Sequence, residues 1–367
     1  MNSINTKEYL WADALKSPIP PSDLTQVNGP ECSLRYVFKE GPDGRIYSVT
    51  LGSISSGMDV MDVFESQFLK LDLREHKLFV FDCDGLLFDS EKVTLECIIE
   101  AAQQIVQENS NNPYFVFSPE HVDIIQKECF KKTEPNMASS LKLTLSNLKL
   151  VDDEVSRQSD DDFLNDLIKR RLEIYCNKVD QGQIKLMPGA IELLKQLKEF
   201  NAVCAIYTGN TDNFIKILIE KLIKPHIPDF DSFIPDTNRV YGNNLPENLT
   251  KSDPYACRLL CKILGVAPEE SVMFEDRPSG VASAARAGYP SIVVPEGQDI
   301  RPFTNPEEML SIPRLVQETK SASGVLDPNR FQILPGLDRI CLIGPDGQER
   351  FPEAYYKQKK HWISLKR

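Results

Sequence analysis

"LFVFDCDGLLFDSEK", residues 78–92, decides how the rest of the chain reads. Leu78–Phe81 is a short apolar run rich in Phe and Val, the pattern of a buried strand. Asp82, Asp84 and Asp89 arrive as that strand gives out, with Gly85 supplying a tight turn. Carboxylates this close repel one another unless a cation lies between them or one of them keeps its proton. Chains avoid that cost unless chemistry needs it, and the remaining sequence must show whether a cation and a reaction are present.

Downstream, "SEKVTLECIIEAAQQIVQE", "SPEHVDIIQKECFKK" and "SDDDFLNDLIKRRLEIYCNKV" all carry apolar residues at helical spacing. Residues 91–184 are expected to form an all-helical unit. Ser159 reads as an N-cap, and Asp160 to Asp162 suit the positive end of a helix better than a metal site. From Pro188 onward strands and helices alternate: "AVCAIYTGN", "FDSFIPD", "ESVMFED" and "PSIVVP" as strands, with helices between them. Unbroken apolar strands in such alternation predict a parallel sheet covered on both faces, with its site at the carboxyl ends of the strands. Three of those ends are polar: Asp82 and Asp84, Thr208, and Glu275 with Asp276.

Upstream, "SLRYVFKEGPDGRIYSVTLG" predicts a hairpin around a Pro-Asp-Gly turn, and "SGMDVMDVFESQFLKLDL" a helix. A second "GPDG" occurs at residues 344–347, but its flanks share little with the first. The chain of 367 residues is long enough for two or three domains, and its 41% apolar content for a sizeable core. With 42 basic against 54 acidic residues it carries net charge −12, which argues against nucleic-acid binding. Any phosphate it handles needs local positive charge. Nine cysteines without a CxxC pair suit buried thiols in a reducing compartment, with Cys257 and Cys261 packing in the core. No signal core or membrane-spanning stretch is evident, so the expected location is cytoplasmic.

Four motifs in order resemble the haloacid dehalogenase superfamily, mostly phosphatases: "FVFDCDGLLFDS", "VCAIYTGN", "LTKSDPYACRLL" and "MFEDRPSG". The resemblance spans about residues 76–298. It departs from the family at the third motif, where Ser252 follows the lysine in place of the first proline of Lys-Pro-x-Pro. The resemblance implies an α/β, Rossmann-like parallel-sheet core at 76–90 and 185–300, an inserted helical cap at 91–184, and extensions at 1–75 and 301–367.

It also implies roles. Asp82 would be the nucleophile and Asp84 the acid–base, with Thr208 and the backbone N–H groups of Gly209 and Asn210 holding the phosphoryl group beside the Gly85 turn. Lys251 would supply positive charge. Mg²⁺ would be held by Asp82, the Asp84 carbonyl and Asp276, with Glu275 a direct or water-mediated partner. Lys131, Lys132 and Thr133 in the cap would reach the distal part of the substrate. Asp89, Ser90 and Glu91 read as hinge or helix-capping residues.

The position of the helical block matches the β-phosphoglucomutase-like and phosphoglycolate phosphatase-like branch. A sugar mutase would carry a His soon after the Asp-Ser pair, and "DSEKVTLEC" has none. A dehalogenase would lack the second Asp. Lys92 alone does not make a phosphonatase. The expectation is a Mg²⁺-dependent phosphatase acting on a small organic phosphate such as a sugar phosphate, with a phosphomutase as an alternative. A rival from another class is a regulatory protein on this fold, acting on a protein partner through its extensions, with the basic, Trp362-bearing "FPEAYYKQKKHWISLKR" as the interaction surface.

Overall fold

The computed structural model describes residues 34–40, 46–52, 68–109, 112–129, 134–246, 249–294, 331–334, 336–353 and 355–356. They fall into two compact units, the first drawn from 1–87, 186–209 and 226–367, the second from 88–185 and 210–225.

In the first unit, β1 (Leu34–Glu40) and β2 (Ile46–Gly52) pair antiparallel, from Leu34 opposite Gly52 to Glu40 opposite Ile46. The expected Pro-Asp-Gly turn between them lies outside the described residues, as does the expected helix over 56–67. The last part of that helical reading is overturned: Leu69–Asp72 is a strand, β3. Leu69 and Leu71 are buried while Lys70 is exposed, the period-two alternation of a half-buried strand. Its partner is remote in sequence.

β4 (Leu78–Phe81), β5 (Val203–Tyr207), β6 (Arg239–Val240), β7 (Ser271–Glu275), β8 (Ser291–Val293) and β9 (Phe331–Ile333) form one sheet in the order β6-β5-β4-β7-β8-β9, parallel throughout. Every side chain of β4 is fully buried, which is what a central strand covered on both faces requires. Phe81 stacks on Phe274 of β7 at 4.6 Å between ring centroids. The chain lays β5 and β6 on one side of β4 and then returns to place β7 on the other. β4 is therefore the switch point, where a crevice opens beyond the strand ends.

β10 (Ile340–Ile343) pairs parallel with β3 and antiparallel with β11 (Glu349–Arg350), so a small sheet joins segments some 270 residues apart in the chain. Phe68, Phe351 and Tyr355 pack beside it with Cys341. The second "GPDG" is the turn between β10 and β11. One further strand expectation fails: "FDSFIPD" contains a one-turn helix at Phe230–Phe233, closed by Phe233 N–H donating to Asp229 O, and the strand comes later as β6. Cys257 and Cys261 lie in the core with Leu78, Val80 and Tyr207, and no disulfide forms among the described residues.

The second unit is helical: Glu91–Asn109, Pro119–Cys129, Glu134–Asn147, Asp153–Arg157, Asp160–Asp180 and Asp212–Leu218. Its long first and fifth helices bury Val93, Cys97 and Ala101, and Phe163, Leu167 and Tyr175. Ser159 caps the fifth, its hydroxyl accepting the Asp162 N–H at 3.0 Å. No helix among the described residues is long and apolar enough to cross a membrane.

Candidate active site

The parallel ladder continues one residue past each strand and fixes the site backbone. Asp82 N–H donates to Phe274 O at 3.0 Å, Thr208 N–H to Val240 O at 3.1 Å, and Val294 N–H to Glu275 O at 2.8 Å. Asp82, Glu275 and Asp276 each offer a carboxylate oxygen within 4.8 Å of the others, and all three are buried. Lys251 lies among them, its Nζ 2.6 Å from Asp82 Oδ1 and in contact with Glu275 Oε1. The other Glu275 oxygen accepts the N–H groups of Asp276 at 2.7 Å and Arg277 at 2.9 Å.

Asp276 is treated differently. Both its carboxylate oxygens are buried and accept no hydrogen bond, although such groups are costly to leave so. Two glycines make room for this packing. A Cβ on Gly85, whose φ is +78°, would stand 2.1 Å from Asp276 Oδ2, and one on Gly280 would stand 1.7 Å from Glu275 Oε1. The glycine four residues after Asp276 is thus required by the close approach of the Pro278–Ala287 helix to Glu275.

Burial pushes the Asp82 carboxyl up to about 7, the Glu275 charge adding to it and Lys251 opposing it. Burial and the neighbouring carboxylates of Glu275 and Asp82 push Asp276 upward as well. For Lys251 burial works against the charge, but Asp82 and Glu275 outweigh it and hold the ammonium firmly protonated. Three carboxylates face one ammonium. The set is all oxygen, Arg277 Nε comes no nearer than 3.8 Å to Asp276 Oδ2, and both Asp276 oxygens lack a hydrogen-bond donor, so these residues fit a divalent, hard cation such as Mg²⁺.

Of the other expected site residues, Thr208 is buried at the end of β5, and Asp84 is half-buried just past β4. Gly209 lies against the Lys251 side chain, where a Cβ would be 3.5 Å from its Cδ. Lys251 itself stands in a turn four residues before the Tyr255–Leu264 helix. Asn210 belongs to the second unit, where its Oδ1 accepts the Thr211 N–H at 2.8 Å. Lys131, Lys132 and Thr133 lie outside the described residues. The pairing of Glu275 with Lys251 escaped the sequence reading, which had no signal joining a strand end to a turn 24 residues earlier. A cavity of about 730 Å³ opens elsewhere in the first unit, with Met187, Lys195, Phe351 and Tyr356 in its wall and none of the motif residues.

The family model for haloacid dehalogenase-like hydrolases matches residues 76–288, more than half of the chain. The chain is 26% identical over 223 residues to protein CbbY of Rhodobacter capsulatus, covering 60% of this chain and 86% of that protein. It is 28% identical over 114 residues to validoxylamine A 7'-phosphate phosphatase of Streptomyces hygroscopicus subsp. limoneus, covering 31% of this chain and 49% of that one. Among solved structures, CbbY from Rhodobacter sphaeroides in complex with phosphate aligns with a TM-score of 0.43 at 19% identity, over 60% of this chain and 86% of that chain.

Proposed function

The chain belongs to the haloacid dehalogenase-like hydrolases and is an enzyme of that class, and from that premise we propose that it hydrolyses a small phosphate monoester, with Mg²⁺ bound at Asp82, the Asp84 carbonyl and Asp276. The observation that carries this reading is the buried Asp82–Glu275–Asp276 cluster with Lys251 set into it, at the carboxyl ends of β4 and β7. The similarity to a phosphatase of a phosphorylated metabolite supports the same class of substrate. Against the phosphomutase alternative stands the absence of a His soon after the Asp89-Ser90 pair.

A bound Mg²⁺ supplies charge neutralisation between carboxylate and ester. Glu275, with one oxygen against Lys251 Nζ and the other accepting the Asp276 and Arg277 N–H groups, orients Lys251 and the Asp276 backbone and would be a direct or water-mediated partner of the cation. Asp82 attacks phosphorus, the ester P–O bond breaks, and the leaving alkoxide takes a proton from Asp84. Water then attacks the aspartyl-phosphate, gives its proton to Asp84 and frees Asp82 and phosphate. Thr208, with the N–H groups of Gly209 and Asn210, holds the phosphoryl oxygens, and Lys251 balances their charge. The helical unit serves as the cap that carries substrate selection.

The test is hydrolysis of p-nitrophenyl phosphate and phosphoglycolate with Mg²⁺, with EDTA, and by the Asp82→Asn variant. Turnover that needs the metal and falls by about 10³-fold or more in the variant is the expected result. Folded wild-type protein that binds Mg²⁺ yet turns over neither these esters nor acetyl phosphate would refute it.

A further inference from the structure

Lys251 has to be held between two carboxylates by a loop that lacks a proline at position 252. The loop is a turn, closed by Asp253 N–H donating to Thr250 O at 2.9 Å and by Asp253 Oδ2 accepting the Thr250 N–H at 2.9 Å. Such a turn of polar residues is a weak anchor by itself.

Its three consecutive carbonyls are each taken by a side chain from elsewhere. The Tyr207 hydroxyl donates to Lys251 O at 3.0 Å, Arg286 Nη1 to Ser252 O at 2.8 Å, and the Ser283 hydroxyl to Asp253 O at 2.6 Å. Tyr207 is fully buried at the end of β5, and its ring centroid lies 6.0 Å from Lys251 Nζ. Ser283, also fully buried, and Arg286 lie on the Pro278–Ala287 helix, whose Gly280 presses on Glu275. Gly280, Ser283 and Ala287 share one face of that helix. One rigid element therefore registers the lysine loop against the carboxylates it must meet.

We propose that Tyr207, Ser283 and Arg286 are positioning residues that act through Lys251: hydrogen bonds to the 251–253 carbonyls do the work a proline does in a stiffer loop. The assignment rests on the reading of Lys251 as a phosphate-site cation. It adds to that reading residues that touch neither substrate nor metal.

A double-mutant cycle tests it, using Tyr207→Phe, Arg286→Met, Lys251→Met and the two combinations of an anchor variant with Lys251→Met. Two readouts are taken in Mg²⁺: p-nitrophenyl phosphate kinetics, and the affinity for inorganic phosphate by calorimetry, with thermal unfolding to establish that each variant folds. Each anchor variant is expected to lower kcat and phosphate affinity about 3- to 10-fold, the effect of one lost hydrogen bond. Lys251→Met should cost about 10²-fold or more in kcat, and adding either anchor change to it should cost nothing further. Multiplicative losses in the double variants would overturn the proposal, as would folded anchor variants with unaltered kcat and phosphate affinity. If no ester is hydrolysed but the phosphate-binding cycle shows the coupling, the phosphatase reading falls while the positioning role stands. If Lys251→Met leaves phosphate affinity and turnover unchanged, both the lysine's role and its anchors are refuted.

Discussion

The two units treat charge in opposite ways. In the helical unit Arg170 and Lys178, both largely buried, meet acids that keep contact with water. Arg170 donates Nη1 and Nη2 to the two Glu108 oxygens at 2.7 Å and Nε to Asp166 at 3.0 Å. Lys178 lies 2.6 Å from Glu100 and 3.2 Å from Glu96. At the strand ends of the first unit, Glu275 and Asp276 have side chains of 0% exposure; Lys251 pairs with Asp82 and Glu275, while Asp276 meets Arg277 Nε at 3.8 Å. Exposed pairs stabilise weakly but cost little, whereas uncompensated buried charge is expensive. The helical unit is arranged for stability. The site carries an excess of buried carboxylate that a divalent cation would relieve.

Restoring the balance should give the largest effect. Magnesium at a hundredfold excess over its Kd is expected to stabilise the wild-type fold by about 2.7 kcal/mol, read as a rise in Tm. The shift should vanish in Asp276→Asn. A magnesium-independent Tm in the wild type would break the contrast, because the cluster would then be balanced by protein groups alone. Gly280→Ala tests the packing that creates the cluster. Its Cβ would have to displace the Glu275 carboxylate, and the expected cost is about 1–3 kcal/mol of stability, with lost turnover. Urea unfolding measures it, and an unchanged midpoint would show that Glu275 can move away cheaply.

The helical unit should respond least. Arg170→Met is expected to cost about 0.5–1 kcal/mol, because the Glu108 partner remains largely in water. The pH dependence sharpens this. Arg170 hydrogen bonds hold the Glu108 carboxyl below its ordinary value near 4.5. A depressed acid stabilises the fold above its unfolded value and loses that contribution as pH falls through its folded one. The Tm gap between wild type and variant should therefore be full at pH 6 and close on acidification below about pH 4.5. A gap that persists at pH 3 would assign the effect to packing of the arginine stem instead.

The motifs around Asp82, Thr208 and Glu275–Asp276 were legible because each is local: an apolar strand of continuous burial, then a polar end; Lys251 was legible from the motif that opens the Tyr255–Leu264 helix. The helices of the second unit were legible from their spacing, and Ser159 from the chemistry of its cap. The failures were of another kind. Residues 69–72 continue an apolar pattern that suits a helix until β10, some 270 residues later, offers a ladder of backbone partners. "FDSFIPD" has strand-like composition, yet the Asp229 carbonyl closes a helical turn over it.

By itself the sequence determined which apolar strands end in polar residues, Asp82, Thr208 and Glu275–Asp276 among them, because strand burial and terminal polarity are written in contiguous residues. Only the tertiary structure decided that Lys251 pairs with both Asp82 and Glu275, that Asp276 keeps two unsatisfied oxygens, and that Tyr207, Ser283 and Arg286 hold the lysine's loop. Those facts depend on the register of one strand or helix against another, which is set by packing across the whole core and has no local signature.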